Sequence, residues 1–159
     1  MSAAALADTD GSGVGGSTAG SPPKTQVGHL KVLLYSDDAK VRENLRLALG
    51  SRPDEALPEL SVEEFATAPA LIARMDASLK GLGVDLVILD GEAVPAGGMG
   101  VARQLKDEIY HCPPLLVLTG RAQDGWLATW ARADAVVSHP VDPVRLADVA
   151  VGLLRSRVG

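Results

Sequence analysis

The chain has a single cysteine and very few aromatic residues. Cys112 is the one cysteine among 159 residues, which excludes an internal disulfide bond and a cysteine-rich zinc site and fits a reducing cytoplasm. Aromatic residues make up 3% of the chain, whereas hydrophobic residues as a whole make up 47%. The core must therefore consist largely of Val, Leu and Ala, a composition that suits strands covered by helices on both faces.

Clusters of positive charge and long apolar runs are also missing. The formal net charge is −5 and the basic residues form no run, which argues against a nucleic-acid surface. No stretch approaches the roughly 20 apolar residues of a membrane span, and the first residues lack the basic and apolar regions of a signal peptide. We therefore expect a cytoplasmic protein that binds neither nucleic acid nor a membrane.

The first 28 residues differ in composition from the rest of the chain. They are rich in Gly, Ser, Ala and Thr and contain almost nothing large to bury, so we expect a flexible tail. The glycine-rich segment 11–16 has no predicted strand before it and no predicted helix after it, and therefore does not fit a phosphate-binding loop. Residues 29–159 are predicted to form one folded domain.

From Leu30 onward, apolar runs alternate with segments of helical period. Five such pairs predict repeated strand–helix units and hence a parallel sheet. The third run is almost uniformly apolar, which indicates a central strand. The predicted strands are 31–36, 60–66, 85–89, 115–118 and 135–138. The predicted helices are 39–49, 69–79, a helix through Val101, Leu105 and Ile109, a helix that bears Trp126 and Trp130, and a last helix over 143–155.

Acidic side chains stand at the ends of two predicted strands. Asp37 and Asp38 come at the end of the first strand, and Asp90 ends the third. Because the carboxyl ends of parallel strands share one edge of a sheet, the three carboxylates are expected to meet there. Carboxylates at close range repel one another and are tolerated mainly when a hard cation such as Mg²⁺ neutralises them. The alternative is local, since an aspartate before a helix caps it and Asp90 could simply end its strand.

The residues at the strand ends resemble those of the receiver domains of bacterial two-component response regulators, which include the chemotaxis regulator. The resemblance covers about residues 31–154. It rests on the acidic pair after strand one, the aspartate that ends strand three with a proline–glycine loop behind it, Thr119-Gly120 after strand four and His139-Pro140 after strand five. It implies a flavodoxin-like α/β fold, a doubly wound five-stranded parallel sheet of order 2-1-3-4-5, with the site at the carboxyl ends of the strands.

The resemblance also implies a role for each strand-end residue. Asp90 would be the phosphoacceptor. Asp37 and Asp38 would hold Mg²⁺ together with Asp90, and the backbone carbonyl of Glu92 would complete the protein ligands. Thr119 would hydrogen-bond a phosphoryl oxygen and begin the switch. The phosphodonor would be a sensor histidine kinase or a small molecule, and the chain would not be an enzyme beyond its own phosphorylation and dephosphorylation.

Three positions depart from the family pattern. The family usually has a lysine where this chain has His139, and an imidazole is shorter and mostly neutral near pH 7, so its contact with a phosphoryl group would be weaker. The alternative is that His139 packs and hydrogen-bonds locally. Val136 stands where an aromatic switch residue is usual, and a valine cannot swing between buried and exposed states. Glu92 adds a carboxylate two residues after Asp90, where it could repel phosphate or orient water.

Trp126 and Trp130 lie about one helical turn apart and share a face of the predicted fourth helix. We expect at least one of them to pack in the core, whereas an exposed Trp would mark a surface for a partner.

Three hypotheses follow for the function. The first is a stand-alone, atypical receiver domain in phosphorelay signalling, which accepts a phosphoryl group at Asp90 with Mg²⁺, acts by protein contact and could form a homodimer. The second is a phosphate-independent pseudo-receiver that binds a partner through the face formed by helix four, strand five and helix five. The third is a phosphatase with Asp90 as its nucleophile, which the missing lysine and the absent substrate-cap segment disfavour.

Overall fold

The structure is a computed structural model that describes residues 29–78, 83–121 and 125–158. The predicted tail, residues 1–28, and Leu79, the predicted last residue of the second helix, lie outside the described residues. No helix in the described part of the chain is long and apolar enough to cross a membrane.

Strands and helices alternate along the chain. The strands are β1 (His29–Tyr35), β2 (Glu59–Phe65), β3 (Leu86–Asp90), β4 (Leu115–Thr119) and β5 (Ala135–Ser138). The helices are α1 (Ala39–Leu49), α2 (Ala68–Ser78), α3 (Gly98–Glu108), α4 (Gly125–Ala131) and α5 (Pro143–Val158). The strands form one sheet of order β2-β1-β3-β4-β5, in which every pair is parallel. The predicted fold class and strand order are thus confirmed.

The burial of each strand follows its place in the sheet. Every residue of β3 and β4 is buried, because helices cover both faces of the central strands. β2 lies at one edge of the sheet and carries three glutamates, Glu59, Glu63 and Glu64, which keep this edge polar. The prediction that the third strand is central, which was made from its apolar residues, is therefore confirmed.

The helices form two layers, one on each face of the sheet. On one face, Leu45 of α1 and Leu146 of α5 pack in the same cluster as Leu34 and Ile88 of the sheet. The cluster on the other face combines buried residues of α2, α3 and α4 with Leu33, Val87 and Val117, and its helical members are Ala68, Leu71, Met75, Val101, Ala102, Leu105 and Ala131. Each layer buries one apolar face per helix, as the 3.6-residue period predicts.

The parallel arrangement brings the carboxyl ends of β1, β3, β4 and β5 to one edge. Tyr35 pairs with Leu89 in the register of β1 and β3, and Thr119 pairs with Ser138 in that of β4 and β5. In the described part of the chain, the buried residues with polar or charged side chains are Ser36, Asp90 and Thr119. All three follow or end a strand at this edge. Buried polar groups therefore concentrate where the sequence predicts a site.

The bounds of β1 to β4 differ from the prediction by one or two residues at one or both ends, and one of these differences matters for the site. β1 begins at His29 and ends at Tyr35, so Ser36 is the first residue after the strand instead of its last. β3 extends through Asp90. Ser36 and Asp90 consequently face each other across the edge of the sheet.

Candidate functional site

Asp90 is the centre of the site. It is 3% exposed at the end of β3. Its Oδ2 accepts a hydrogen bond from Ser36 Oγ at 2.7 Å, and its Oδ1 accepts one from the backbone N–H of Glu92 at 2.9 Å. Because both oxygens have a donor, the carboxylate is held in one orientation.

Ser36 is a site residue that the sequence reasoning missed. It is fully buried, and its Oγ accepts a hydrogen bond from the backbone N–H of Asp38 at 3.1 Å while donating to Asp90. Its carbonyl accepts a hydrogen bond from the Arg42 guanidinium at 2.6 Å. At the end of the first strand the prediction considered only the carboxylates of Asp37 and Asp38, whereas the signal for Ser36 was a polar residue directly after an apolar run.

The two acidic residues that follow Ser36 point to different partners. Asp37 Oδ1 accepts a hydrogen bond from the N–H of Val94, in the loop after β3, at 3.2 Å. Asp38 is exposed and caps α1, since its Oδ1 accepts a hydrogen bond from the N–H of Lys40 at 2.8 Å. Among the residues that the structure describes, no three His, Cys, Asp or Glu side chains are grouped so that they could hold a metal ion.

This arrangement corrects the expectation that three carboxylates meet at the sheet edge. The reason is the position of the strand end. Because β1 ends at Tyr35, the residue that contacts Asp90 is Ser36. The acidic pair begins one residue later in the chain. Asp38 is then at the start of α1, where an aspartate satisfies an otherwise unpaired backbone N–H. The local alternative, helix capping, is confirmed for Asp38.

Thr119 ends β4, the strand next to Asp90. It is 2% exposed, and its Oγ1 has no hydrogen-bond partner among the described residues. A buried hydroxyl without a partner costs about 1–3 kcal/mol of stability. The hydroxyl is thus available to an oxygen atom that arrives at the site.

Gly120 leaves room for the side chain of Glu92. A Cβ atom at position 120 would lie 2.7 Å from both Cδ and Oε2 of Glu92. The Glu92 carboxylate therefore rests against the residue that follows Thr119. The Glu92 carboxylate thus lies beside the end of β4, while the Glu92 backbone N–H donates to Asp90 Oδ1.

His139 approaches Asp90 from the end of β5. Its Nε2 lies 3.4 Å from Asp90 Oδ1, and its backbone N–H donates to the carbonyl of Thr119 at 2.8 Å. The side chain is about a quarter exposed, at 26%. His139 also lines a groove of about 530 Å³ between α1 and the segment that joins β5 to α5. The imidazole thus has access both to Asp90 and to solvent.

Comparison with known proteins identifies the family. No protein-family model matches the chain. Two response regulatory proteins of Mycobacterium tuberculosis, from strains H37Rv and CDC 1551 and both named as uncharacterized, are each 54% identical over 127 residues, which span 80% of this chain and 92% of theirs. The chain belongs to the response regulatory proteins.

Solved receiver domains share the fold of this response regulator at lower identity. The BeF3-activated DrrB receiver domain of Thermotoga maritima has a TM-score of 0.62 and 19% identity, over 80% of this chain and 98% of that one. A Francisella response regulator receiver domain has a TM-score of 0.65 and 14% identity, over 82% and 99% of the two chains. Chemotaxis response regulator CheY4 of Vibrio cholerae has a TM-score of 0.62 and 20% identity, over 79% and 99%. The chain therefore has the receiver fold.

The two tryptophans of this response regulator are both exposed. Trp126 is 69% exposed and Trp130 is 48% exposed. The guanidinium of Arg103 lies 4.9 Å from the centre of the Trp130 ring, where a cation is attracted by the aromatic face. The expectation that at least one Trp packs in the core is wrong, because the spacing shows that the two share a face but not which face the helix buries. Ala131, at the end of α4, is fully buried instead.

The side chain of Tyr35 links the end of β1 to the loop after β3 by a hydrogen bond. It is fully buried, and its hydroxyl donates to the carbonyl of Ala96 at 2.5 Å. Burial raises the pKa of Tyr35, and the nearby charges of Asp37 and Asp90 raise it further. The hydroxyl therefore stays protonated and keeps donating to the loop. The sequence reasoning treated Tyr35 only as a strand residue and missed this contact.

Proposed function

We propose that this response regulator accepts a phosphoryl group on Asp90 and passes the signal on by protein contact. The observation that carries the proposal lies at the ends of two neighbouring strands. There the buried, oriented carboxylate of Asp90 is accompanied by the buried hydroxyl of Thr119, which has no hydrogen-bond partner among the described residues. Phosphoryl transfer requires chiefly the positioning of the nucleophile and stabilisation of charge on the transferred oxygens. These two side chains supply one requirement each.

In the proposed reaction, Asp90 Oδ1 attacks the phosphorus atom. This oxygen lies on the side of His139, whereas Oδ2 is engaged by Ser36. An O–P bond forms as the bond between phosphorus and the donor breaks, and the donor leaves with the electron pair. The Thr119 hydroxyl donates to a phosphoryl oxygen, and His139 stabilises the same group when its ring carries a proton. The donor would be a sensor histidine kinase in the cytoplasm or a small acyl phosphate.

The donor atoms at the sheet edge fit Mg²⁺. The carboxylates of Asp37 and Asp90 and the backbone carbonyl of Glu92 are hard oxygen ligands, and Mg²⁺ in proteins usually binds one or two carboxylates and keeps several waters. When bound, the ion would neutralise charge on the phosphoryl oxygens. Asp38 would support the site indirectly, because its carboxylate is engaged at the start of α1.

Beryllofluoride, which activates the related DrrB receiver domain, offers a direct test. We expect beryllofluoride with Mg²⁺ to shift the amide resonances of Gly91, Thr119 and Gly120, and Asp90→Asn to abolish the shifts. The matched control is Asp76→Asn, on the exposed surface of α2, which should respond as the unaltered protein does. Unchanged spectra at saturating beryllofluoride would contradict the proposal.

The exposed tryptophans favour one second candidate, a phosphate-independent adaptor. Trp126 and Trp130 present two large aromatic side chains on α4, and Trp is enriched where interfaces contribute most to affinity. Receiver domains interact with histidine kinases or other signalling proteins, and this face would be the adaptor's contact surface. For an adaptor, partner binding survives Asp90→Asn and needs no Mg²⁺, but it is lost on Trp126→Ala. For a phosphoacceptor, Asp90→Asn changes partner affinity.

A further inference from the structure

The residue that touches Asp90 from the end of β1 is uncharged. We propose that Ser36 is a positioning residue that orients Asp90 without a bound cation, so that the folded state of this receiver domain forms without Mg²⁺. The inference rests on the proposed role of Asp90 as the phosphoacceptor, and it concerns the state of the site before any donor or ion arrives.

The contacts of Ser36 fix it on two sides. Its one hydroxyl proton is directed to Asp90 Oδ2 at 2.7 Å, and its oxygen receives the Asp38 N–H at 3.1 Å. The side chain is fully buried, so water does not compete for either bond. A hydroxyl held in this way anchors one oxygen of Asp90 to the end of β1 and the start of α1.

The other oxygen of Asp90 is anchored from its own loop. Oδ1 accepts the Glu92 N–H at 2.9 Å. Each carboxylate oxygen therefore has a donor supplied by the chain itself, and the orientation of Asp90 requires no ion. Hydrogen bonds to a carboxylate are stronger than those between neutral groups, so the bonds from Ser36 and Glu92 hold Asp90 firmly in its orientation.

The two acidic residues that follow Ser36 each have a hydrogen-bond partner other than Asp90. Asp37 bonds to the N–H of Val94 and Asp38 to that of Lys40. Two buried carboxylates in contact repel each other strongly, whereas a carboxylate beside a hydroxyl does not. At the buried position beside Asp90, Ser36 thus makes an attractive contact where an acidic residue would make a repulsive one. The proposed Mg²⁺ ligands remain the carboxylates of Asp37 and Asp90 and the backbone carbonyl of Glu92.

Substitution of Ser36 separates these effects. Ser36→Asp places a second buried carboxylate against Asp90, which lowers stability in the absence of a cation and restores it when Mg²⁺ binds between the two. Ser36→Ala removes the donor to Oδ2 without adding charge, so it lowers stability equally with and without Mg²⁺. The matched controls are Ser61→Asp and Ser61→Ala on β2, opposite Lys31 and away from the carboxyl edge.

The experiment is thermal denaturation of the full chain with and without about 10 mM MgCl₂ at constant ionic strength. We expect the addition of Mg²⁺ to raise the midpoint of Ser36→Asp by about 5 °C more than it raises that of the unaltered protein. Ser36→Ala should melt about 5 °C lower than the unaltered protein in both buffers. The Ser61 variants should respond to Mg²⁺ as the unaltered protein does.

Two results overturn the proposal. One is an Mg²⁺-dependent rise in the unaltered protein as large as that expected for Ser36→Asp. The other is a Ser36→Asp protein whose midpoint does not respond to Mg²⁺, or that is unfolded both with and without Mg²⁺. Either outcome would mean that Mg²⁺ does not compensate the added carboxylate. Neither result depends on phosphorylation. Failure to phosphorylate Asp90 would contradict the proposed function, whereas these melting curves would still test the role of Ser36.

Discussion

His139 Nε2 and Asp90 Oδ1 lie 3.4 Å apart, although 49 residues separate them in the chain. The contact joins the end of β5 to the end of β3 across the intervening strand β4. It brings an imidazole to the oxygen of Asp90 that is free of Ser36. His139 therefore stands where it can sense a group attached to Oδ1.

A lysine at position 139 should hold a phosphoryl group more firmly. Its ammonium group carries a permanent charge near neutral pH, and a charged donor exceeds a neutral one by about 1 kcal/mol, which corresponds to roughly fivefold in lifetime. We expect His139→Lys to slow the loss of phosphoryl from Asp90 by about that factor after the donor is removed. The control is His29→Lys at the start of β1. Equal decay rates in all three proteins would mean that residue 139 does not touch the group.

Removal of the buried hydroxyl of Thr119 should stabilise the protein and impair the site. Thr119→Val keeps the branched shape that suits a strand and deletes the Oγ1 that has no partner among the described residues, so the free energy of unfolding should rise by about 1 kcal/mol. Labelling of Asp90 should become slower because a phosphoryl oxygen loses its donor. Urea denaturation and a labelling time course measure the two effects.

Thr67→Val is the matched control for this prediction. Thr67 Oγ1 accepts a hydrogen bond from the N–H of Ala70 at 3.3 Å at the start of α2, so its loss should destabilise the protein by about 1 kcal/mol and leave labelling unchanged. A destabilised Thr119→Val would show that the hydroxyl is paired in solution before any phosphoryl group arrives.

Glu64 should contribute to stability in a way that depends on pH. Hydrogen bonds from Arg46 at 2.7 Å and Arg42 at 3.2 Å lower the pKa of Glu64 below its usual 4.5 despite partial burial. A lowered pKa in the folded state means that the stabilisation is present above about pH 4.5 and is lost as the pH falls through the lower folded value. Glu64→Gln should therefore reduce the free energy of unfolding at pH 7 by less than about 1 kcal/mol, and by a smaller amount at acid pH.

Urea titrations at pH 7 and near pH 3 check this expectation. Glu43→Gln serves as control, because Glu43 is an exposed residue of α1 whose ion pair with Lys40 is also exposed. It should change the free energy of unfolding little at either pH. A Glu64→Gln effect that is equal at both pH values would contradict the assigned role of the two arginines.

Because both tryptophans are exposed, we expect substitution of Trp126 to change stability little and the tryptophan fluorescence to be sensitive to a quencher in the solvent. Trp126→Ala should change the free energy of unfolding by less than about 1 kcal/mol, whereas Leu118→Ala in β4 should cost about 2–5 kcal/mol. Tryptophan emission of the folded protein should lie near that of the unfolded chain and be quenched efficiently by iodide. Blue-shifted emission that resists iodide would mean that a Trp is covered in solution, either by the chain or by a second copy.

The fold could be predicted because its strands are apolar runs of the right length between segments of helical period. α1 and β5 have the predicted bounds, Ala39–Leu49 and Ala135–Ser138. The strand order came from the resemblance, whose ordered residues at the strand ends also brought Asp90, Thr119 and His139 to one edge of the sheet. Local hydropathy and ordered motifs therefore sufficed for the architecture.

The finer features of the site depend on tertiary contacts that hydropathy does not report. Pairing with Phe65 and Leu89 sets the end of β1 at Tyr35, and this register decides that Ser36 contacts Asp90. The Tyr35 hydroxyl reaches a loop that is 61 residues away in the chain. The spacing of Trp126 and Trp130 shows that they share a face but not that it points outward. Sequence patterns predict which residues share an edge or a face, and the packed structure decides which atoms meet.

Mass spectrometry after incubation with acetyl phosphate and Mg²⁺ tests the central claim most directly. The account predicts one phosphoryl group per chain, carried by the peptide that contains Asp90, with no label on Asp90→Asn and normal labelling of Asp76→Asn. An unaltered protein that stays unlabelled at high donor concentration, or that carries the label on another residue, would contradict it.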